Sequence, residues 1–278
     1  MKVLYDQTSS QCSKLITRKY STSFSLGIYF LDKTIHKSIY NIYGFVRLAD
    51  EIVDSFNGYN KKKLLEEFRV NTEKAIKHKI SLNPILNSFQ YTYHKYNIDW
   101  SEVDSFLKSM EMDLNHKDYN STEYDKYIFG SAEVVGLMCL RVFTDNQNNL
   151  YEELKPYAKK LGSAFQKINF LRDLQDDYEI LGRSYFPNID LKNISVEDKT
   201  KIEQEIEQEF NEALEGIKLL PKNSKKGVYL AYVYYRQLFV KISNLSPQEV
   251  LDARVRIPNF QKIMLMIVSL IRIKLNII

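Results

Sequence analysis

The chain contains little glycine or proline and almost no cysteine. Its 278 residues include 9 glycines, 6 prolines and 2 cysteines. So few turn-forming residues disfavour a fold with many tight turns and predict long helices. Two cysteines cannot provide a disulfide framework for a chain of this size. Cys139 lies within an apolar run, so it is predicted to be a buried thiol in a reducing, cytoplasmic environment.

Motifs typical of several other kinds of site are missing. The four histidines have no spacing typical of a zinc pair, and no HExxH motif occurs. The sequence has no glycine-rich nucleotide-binding loop, and its polar first twenty residues show no signal-peptide pattern. These absences disfavour a zinc enzyme and a secreted protein.

The overall composition is that of a globular protein with a mild positive charge. Hydrophobic residues make up 44% and the formal net charge is +4. No linker or internal repeat divides the sequence, so residues 1–278 are predicted to form a single domain. The charge fits an anionic small substrate or an anionic membrane surface better than nucleic acid.

The segment NFLRDLQDDYEILGRSYFP, which begins at Asn169, carries an acidic stripe. Asn169, Asp173 and Asp177 are spaced i, i+4 and i+8, which places them on one face of an α-helix. Apolar residues fill other positions, so the helix can pack while it presents this stripe. Gly182 then predicts the end of the helix.

A second acidic pair lies upstream, where Asp50 and Asp54 are again four residues apart. Carboxylates stacked on one helix face repel each other unless a cation lies between them. An arginine accompanies each block: Arg47 precedes Asp50 by three residues, and Arg172 adjoins Asp173. If the fold brings the two blocks together, their oxygen atoms would suit Mg²⁺ and the arginines would lie where diphosphate oxygens bind.

Both blocks belong to a longer pattern that covers nearly the whole chain. The matching segments are YSTSF at 20–24, YGFVRLADEIVD at 43–54, VGLM at 135–138, QKINFLRDLQDD at 166–177 with GRSYFP at 182–187, and RVRIP at 254–258. On these residues the chain resembles the squalene/phytoene synthase family of head-to-head prenyl transferases. The resemblance implies a single-domain, all-α, isoprenoid-synthase-type helical bundle with a central hydrophobic cleft.

The resemblance also implies roles for individual residues. The implied ligands of Mg²⁺, or of Mn²⁺ as an alternative ion, are Asp50, Asp54, Asn169, Asp173 and Asp177, and the four aspartates are the implied catalytic residues. The side chains implied to contact the prenyl diphosphate substrate are Ser21, Phe24, Tyr43, Arg47, Gln166, Asn169, Arg172 and Arg254. The alternatives are an ordinary serine-rich turn at 21–24 and a solvated turn at Arg254.

The apolar helix predicted at 122–144 is implied to wall a tunnel for the prenyl tails. Gly130 and Gly136 interrupt it and favour a close approach of another helix. A tyrosine of squalene synthases aligns with Gly130, while Phe129 and Tyr127 are near but not equivalent. Glu111 and Asp113, at the end of the preceding helix, could reach the cleft but are interpreted as structural residues.

The implied reaction joins two geranylgeranyl diphosphates into phytoene through a cyclopropylcarbinyl diphosphate, without NADPH. A C15-specific squalene or dehydrosqualene synthase is the second hypothesis, and tunnel depth would separate the two. A non-catalytic relative that acts as a binding or assembly factor is the third, disfavoured because all four aspartates are present. The sequence does not predict the oligomeric state.

The apolar tail 263–271 allows two interpretations, although it is too short to span a bilayer, which needs about 20 residues. One is a final core helix. The other is an interfacial patch whose flanking residues Lys262, Arg272 and Lys274 face lipid headgroups, in peripheral contact with the inner face of the membrane.

Overall fold

The computed structural model describes residues 2–115, 119–179, 185–187, 189, 194–252 and 254–275, without the side chains of residues 22, 23, 176–179, 252 and 259. Throughout these residues the regular structure is helical, and no strand occurs among them. The predicted all-α class is therefore confirmed.

The described residues form thirteen α-helices and one π-helical segment. In chain order they are α1 (Lys2–Tyr20), α2 (Thr22–Tyr29), α3 (Lys33–Asp54), α4 (Lys61–His78), α5 (Pro84–Lys95), α6 (Trp100–Asn115), α7 (Ser121–Ile128), the π-helical segment (Phe129–Glu133), α8 (Val134–Phe143), α9 (Asn148–Glu179), α10 (Val196–Leu219), α11 (Lys222–Ser243), α12 (Pro247–Asp252) and α13 (Asn259–Lys274). The single helix predicted at 122–144 is thus divided into α7 and α8 by the π-helical segment.

Side-chain caps fix where some of these helices begin. The Ser21 hydroxyl accepts a hydrogen bond from the Phe24 amide at 3.2 Å, at the start of α2. The hydroxyl of Ser195 accepts one from the Asp198 amide at 3.0 Å, at the start of α10. Each bond satisfies an amide that has no partner inside the first helical turn. Ser21 therefore sets the direction in which α2 leaves the end of α1.

Two clusters of buried apolar side chains flank a shared cavity. One cluster draws mainly on α3 to α6 and α8, and its Phe45 and Phe89 rings stack with centroids 4.0 Å apart. The other draws mainly on α7 and α9 to α11, and its Phe170 and Tyr185 rings stack at 4.1 Å. Ile28 from the first cluster and Phe170 from the second both line the cavity, so it lies where the two cores meet.

Two glycines allow unusually close packing around the π-helical segment. A Cβ atom on Gly130 would lie 2.5 Å from the carbonyl oxygen of Ser105 in α6. A Cβ atom on Gly136 would lie 3.0 Å from the carbonyl oxygen of Ala158 in α9. Both positions therefore serve the close approach of a neighbouring helix that the sequence favours.

Helix α13 packs one side against α11 and leaves the other side exposed. Its exposed residues include Phe260, Ile263 and Ile271, which are 71%, 52% and 53% accessible. A core-helix interpretation of the tail does not account for this exposed side. In the described part of the chain, no helix is both long enough and apolar enough to cross a membrane.

The glycine contacts give a test of the packing. Gly130→Ala should lower the free energy of unfolding by about 1–2 kcal/mol, because the clash with α6 outweighs the gain in helix propensity. Gly27→Ala is the matched control, since a Cβ atom there meets nothing closer than 3.6 Å. The control should be neutral or stabilising by up to about 1 kcal/mol in urea titrations. Equal effects of the two substitutions would contradict this account of Gly130.

Candidate active site

The cavity between the two cores measures about 1110 Å³. Small-molecule sites commonly occupy about 300–1,000 Å³, so this cavity is large for a single compact ligand. Its apolar wall includes side chains from α8, α9, α10 and α11, namely Val135, Leu140, Phe143, Leu154, Leu161, Ile217 and Val228. The predicted hydrophobic cleft is therefore present, and its charged lining comes mainly from α3, α6, α9 and the segment 254–258.

Helix α3 supplies the first charged block. Tyr43, Arg47, Asp50 and Asp54 all line the cavity, as their shared helical face predicts. The Arg47 guanidinium donates hydrogen bonds to the carboxylates of Asp50 and Glu51, the latter at 2.6 Å. Glu51 itself does not line the cavity, so it contributes by holding Arg47.

Helix α9 supplies the second charged block. Gln166, Asn169, Arg172 and Asp173 line the same cavity. The Nε atom of Arg172 donates to Asp173 Oδ1 at 2.9 Å, and Nε of Arg254 lies 2.8 Å from the same oxygen. Arg254 is thus placed at the charged lining rather than in a turn remote from it. The side chain of the predicted ligand Asp177 lies outside the described residues, as does Gly182.

The two blocks approach each other around Tyr43. Burial raises the pKa of Tyr43, while a hydrogen bond with Ser21 and the charges of Arg47 and Arg172 oppose that rise. The charges of one arginine from each block therefore act on the Tyr43 hydroxyl. The ring of Phe24 lies 4.8 Å from that of Tyr43, between centroids. The structure accordingly gathers the blocks of α3 and α9, which are more than a hundred residues apart in sequence, at one cavity.

Burial raises the pKa of Asp50 to about 7, the neighbouring carboxylate of Asp54 adds to the rise, and Arg47 opposes it. The Asp50 carboxylate is therefore costly to ionise in this cavity, and a nearby cation would relieve that cost. The described side chains hold no ready-made cluster of three or more His, Cys, Asp or Glu residues able to bind a metal ion. Carboxylate pairs and an amide oxygen nevertheless fit Mg²⁺, because this ion commonly takes one or two carboxylates together with waters and substrate phosphates.

Asp113 belongs to the cavity, although the sequence suggested a structural role. It is buried in the last turn of α6 and accepts hydrogen bonds from the hydroxyls of Tyr127, Tyr119 and Tyr185 at 2.8, 3.3 and 3.2 Å. The negative charge of Asp113 helps to raise the pKa of Asp50. Nothing local in the sequence shows where the end of α6 points, so only the tertiary packing reveals this carboxylate.

The structure also shows what surrounds Gly130, the position with which a tyrosine of squalene synthases aligns. Gly130 faces α6, so a tyrosine at that position would not reach the cavity without moving this helix. Tyr127, three residues earlier, lines the cavity and donates to Asp113. Cys139, predicted to be buried, is instead half-buried and lines the same cavity.

The tyrosine-rich helix α11 contributes a further contact to the site. The Tyr235 hydroxyl donates to Asn169 Oδ1 at 3.2 Å, and its ring stacks on Phe165 with centroids 3.9 Å apart. Tyr234 and Tyr235 line the cavity, whereas Tyr229 and Tyr232 are buried. Two of the four tyrosines of this helix are therefore core residues and two border the cavity.

Comparison with known proteins identifies relatives over most of the chain. The family model for squalene/phytoene synthase matches residues 17–261. A phytoene synthase from Arthrospira platensis is 24% identical over 282 residues, covering 92% of this chain and 90% of that protein. A 4,4'-diapophytoene synthase from Staphylococcus haemolyticus is 27% identical over 201 residues, covering 68% of this chain and 66% of that protein.

Solved structures share the fold. A crystal structure of a dehydrosqualene synthase in complex with a ligand superposes with a TM-score of 0.83 at 21% identity, covering 97% of this chain and 98% of that one. A squalene synthase from Alicyclobacillus acidocaldarius superposes with a TM-score of 0.75 at 18% identity, covering 90% and 97%. The arrangement of helices is therefore that of these synthases.

The raised pKa of Asp50 predicts an unusual effect of a conservative substitution. The pKa rises from 3.8 to about 7 on folding, so ionisation of Asp50 destabilises the fold as the pH increases through that range. Asp50→Asn removes this cost. In EDTA at pH 8 it should raise the melting temperature by about 3–6 °C, which corresponds to about 1–2 kcal/mol after allowing for the partly exposed side chain.

The same measurement at pH 4 supplies the internal control for Asp50→Asn, because the wild-type carboxyl group is then mostly neutral and the two proteins should melt together. Asp125→Asn, at an exposed position on α7, is the matched control for loss of one negative charge. A lower melting temperature of Asp50→Asn at pH 8, or an equal rise for both substitutions, would contradict the conclusion that burial and neighbouring charges raise the pKa of Asp50.

Proposed function

This chain belongs to the squalene/phytoene synthase family, and on that basis we propose that it joins two geranylgeranyl diphosphates head to head to make phytoene, a step of carotenoid biosynthesis. Members of the family are prenyl transferases that act on prenyl diphosphates and depend on a divalent metal ion. The observation that carries the proposal is the junction of two charged blocks and an apolar wall in one cavity.

The diphosphate end of the substrate would be held at the charged lining. Asp50, Asp54, Asn169, Asp173 and Asp177 are the proposed ligands of Mg²⁺. When bound, Mg²⁺ would neutralise diphosphate charge and so favour cleavage of the C1–O bond.

The arginines would bind the diphosphate oxygens. Arg47 and Arg172 now contact Asp50 and Asp173, and Arg254 also contacts Asp173. The guanidinium groups would be suited to bind phosphate oxygens through bidentate hydrogen bonds. Ser21 and Tyr43 add hydroxyl groups at the same place.

The rest of the cavity would bury the prenyl chains and keep water away. The family reaction passes through allylic and cyclopropylcarbinyl cations, which water would quench. Apolar side chains from α8, α9, α10 and α11 provide most of this wall. Such a wall lowers water access and strengthens electrostatic interactions at the charged end.

Product analysis tests the proposed activity directly. Purified protein with Mg²⁺ and geranylgeranyl diphosphate should form phytoene without NADPH. Asp173→Asn should lower the rate at least about a thousandfold, because it removes a charge that acts on the leaving group. Asp125→Asn should keep the wild-type rate. Squalene that appears only from farnesyl diphosphate and only with NADPH would reject the proposal, as would the absence of any condensation product.

A C15-specific synthase is the second candidate. It is favoured by the likeness to a 4,4'-diapophytoene synthase and by the superposition on a dehydrosqualene synthase. The proposed C20 activity is supported instead by the likeness to phytoene synthases over most of the chain.

Cavity volume can be changed at Val135, a half-buried side chain in the apolar wall. With equal amounts of farnesyl and geranylgeranyl diphosphate, Val135→Phe should shift the products at least about tenfold toward C30, because the ring takes space needed by the longer chain. Val135→Ala is the matched variant that enlarges the cavity, and it should keep or increase the C40 share. If both variants gave the wild-type product ratio, Val135 would not limit chain length.

A further inference from the structure

Helix α13 carries an apolar stripe that the fold leaves in contact with solvent. The stripe consists of Phe260, Ile263, Met264, Ile267, Val268 and Ile271, each between 44% and 71% exposed. At 100° per residue these positions span an arc of about 140° on one side of the helix. The stripe is therefore one continuous surface rather than scattered exposed residues.

The opposite side of α13 makes the contacts that hold the helix in place. Leu265 and Ile273 pack against the core that includes α11, and Ser269 is 1% exposed. The Ser269 hydroxyl has no hydrogen-bond partner within the described residues. A rotation that exchanged this serine for an apolar stripe residue would suit folding in water better. The orientation of α13 is thus poorly explained by contact with water alone.

The charges on α13 all have one sign. Its sequence, NFQKIMLMIVSLIRIK, contains no aspartate or glutamate, and Arg272 and Lys274 are exposed beyond the end of the stripe. Near the start of the helix, the exposed Lys241 donates to the Arg256 carbonyl oxygen at 2.7 Å, and the Arg256 side chain is also exposed. An apolar stripe with basic residues near both ends complements an anionic lipid surface.

Helix α13 also begins beside the cavity. Pro258 immediately precedes α13, Lys262 lies in its first turn, and both line the cavity. A surface that touches the stripe would therefore lie near the end of the cavity that includes the segment 254–258. Long prenyl chains partition into bilayers, so this placement suits transfer of a lipid-like substrate or product.

We propose that α13 lies flat on an anionic phospholipid bilayer, with the stripe inserted at the boundary between headgroups and acyl chains. A second copy of this chain is the other candidate occupant. Pairing two α13 helices would bring like charges together with no carboxylate on either helix to offset them, so the charges favour lipid. The inference goes beyond the proposed activity, because membrane binding needs no turnover.

Co-sedimentation with vesicles tests the docking surface. The probes are vesicles of phosphatidylcholine alone and of phosphatidylcholine with 30 mol% phosphatidylglycerol. Wild-type protein should bind the anionic vesicles, and the triple substitution Ile263→Ser, Ile267→Ser and Ile271→Ser should weaken binding at least about tenfold. The matched control is Leu82→Ser, Val196→Ser and Leu219→Ser, three exposed residues away from α13, which should change binding less than twofold.

A charge variant tests the same surface without removing apolar contacts. Arg272→Glu with Lys274→Glu should weaken binding to the anionic vesicles at least about 25-fold, since each basic residue near such a surface contributes about fivefold. Binding of the wild type should fall as salt is raised. Equal binding of wild type, triple variant and charge variant would overturn the proposal. The proposal would also fail if the wild-type protein sedimented with neither kind of vesicle.

Two further measurements separate this inference from its competitors. Sedimentation velocity would reveal a wild-type dimer that the triple variant splits, and that result would assign the stripe to a subunit interface instead. Thermal melting confirms that each variant is folded. Turnover measured in detergent micelles should be unchanged in the triple variant. If the wild type binds anionic vesicles yet forms no product, the proposed activity fails while the docking surface stands.

Discussion

Carboxylates from three distant helices share one partly dehydrated cavity, and their mutual repulsion has to be offset inside it. Asp50 and Asp54 come from α3, Asp113 from α6 and Asp173 from α9. Burial, and after it the charges of Asp54 and Asp113, raise the pKa of Asp50 to about 7 even though Arg47 is in contact with it. A cavity that is only partly hydrated cannot rely on solvent to stabilise such groups. It must supply counter-charges from its own walls or take them from a ligand.

Arginines of the cavity wall supply these counter-charges. Arg47 joins Asp50 to Glu51, and Arg172 and Arg254 both contact Asp173. These are the same side chains that the proposed function assigns to the diphosphate. A cation and a diphosphate entering together would let each carboxylate and each arginine exchange partners. The net charge of the cavity would then change little, which suits a site that binds its ligands as a complex.

The sequence was sufficient to predict much of the fold and part of the site. The shortage of turn residues predicted long helices, and the family resemblance implied an all-α chain, as observed. The four-residue spacing placed Asp50 and Asp54 on one face, and both line the cavity. Spacing within a helix is a local property, so it can be read from residue order. The position of Asp113 in the cavity was not predicted, because it depends on how α6 packs against its neighbours. The same limit applies to Gly130, which faces α6 while Tyr127 faces the cavity.

Two apolar surfaces of the molecule are left uncovered by the fold. The wall of the cavity and the stripe on α13 are both apolar and both open, whereas the serine at 269 is closed off from water. Neither surface is explained by folding in water, since a chain that folded only to hide apolar area would cover both. A prenyl chain offers the contacts that the cavity wall lacks, and a bilayer offers those that the stripe lacks. Prenyl diphosphates, like phospholipids, combine an apolar chain with phosphate. Molecules of this one chemical type would therefore account for both the cavity wall and the α13 stripe, and basic residues lie near each of these surfaces.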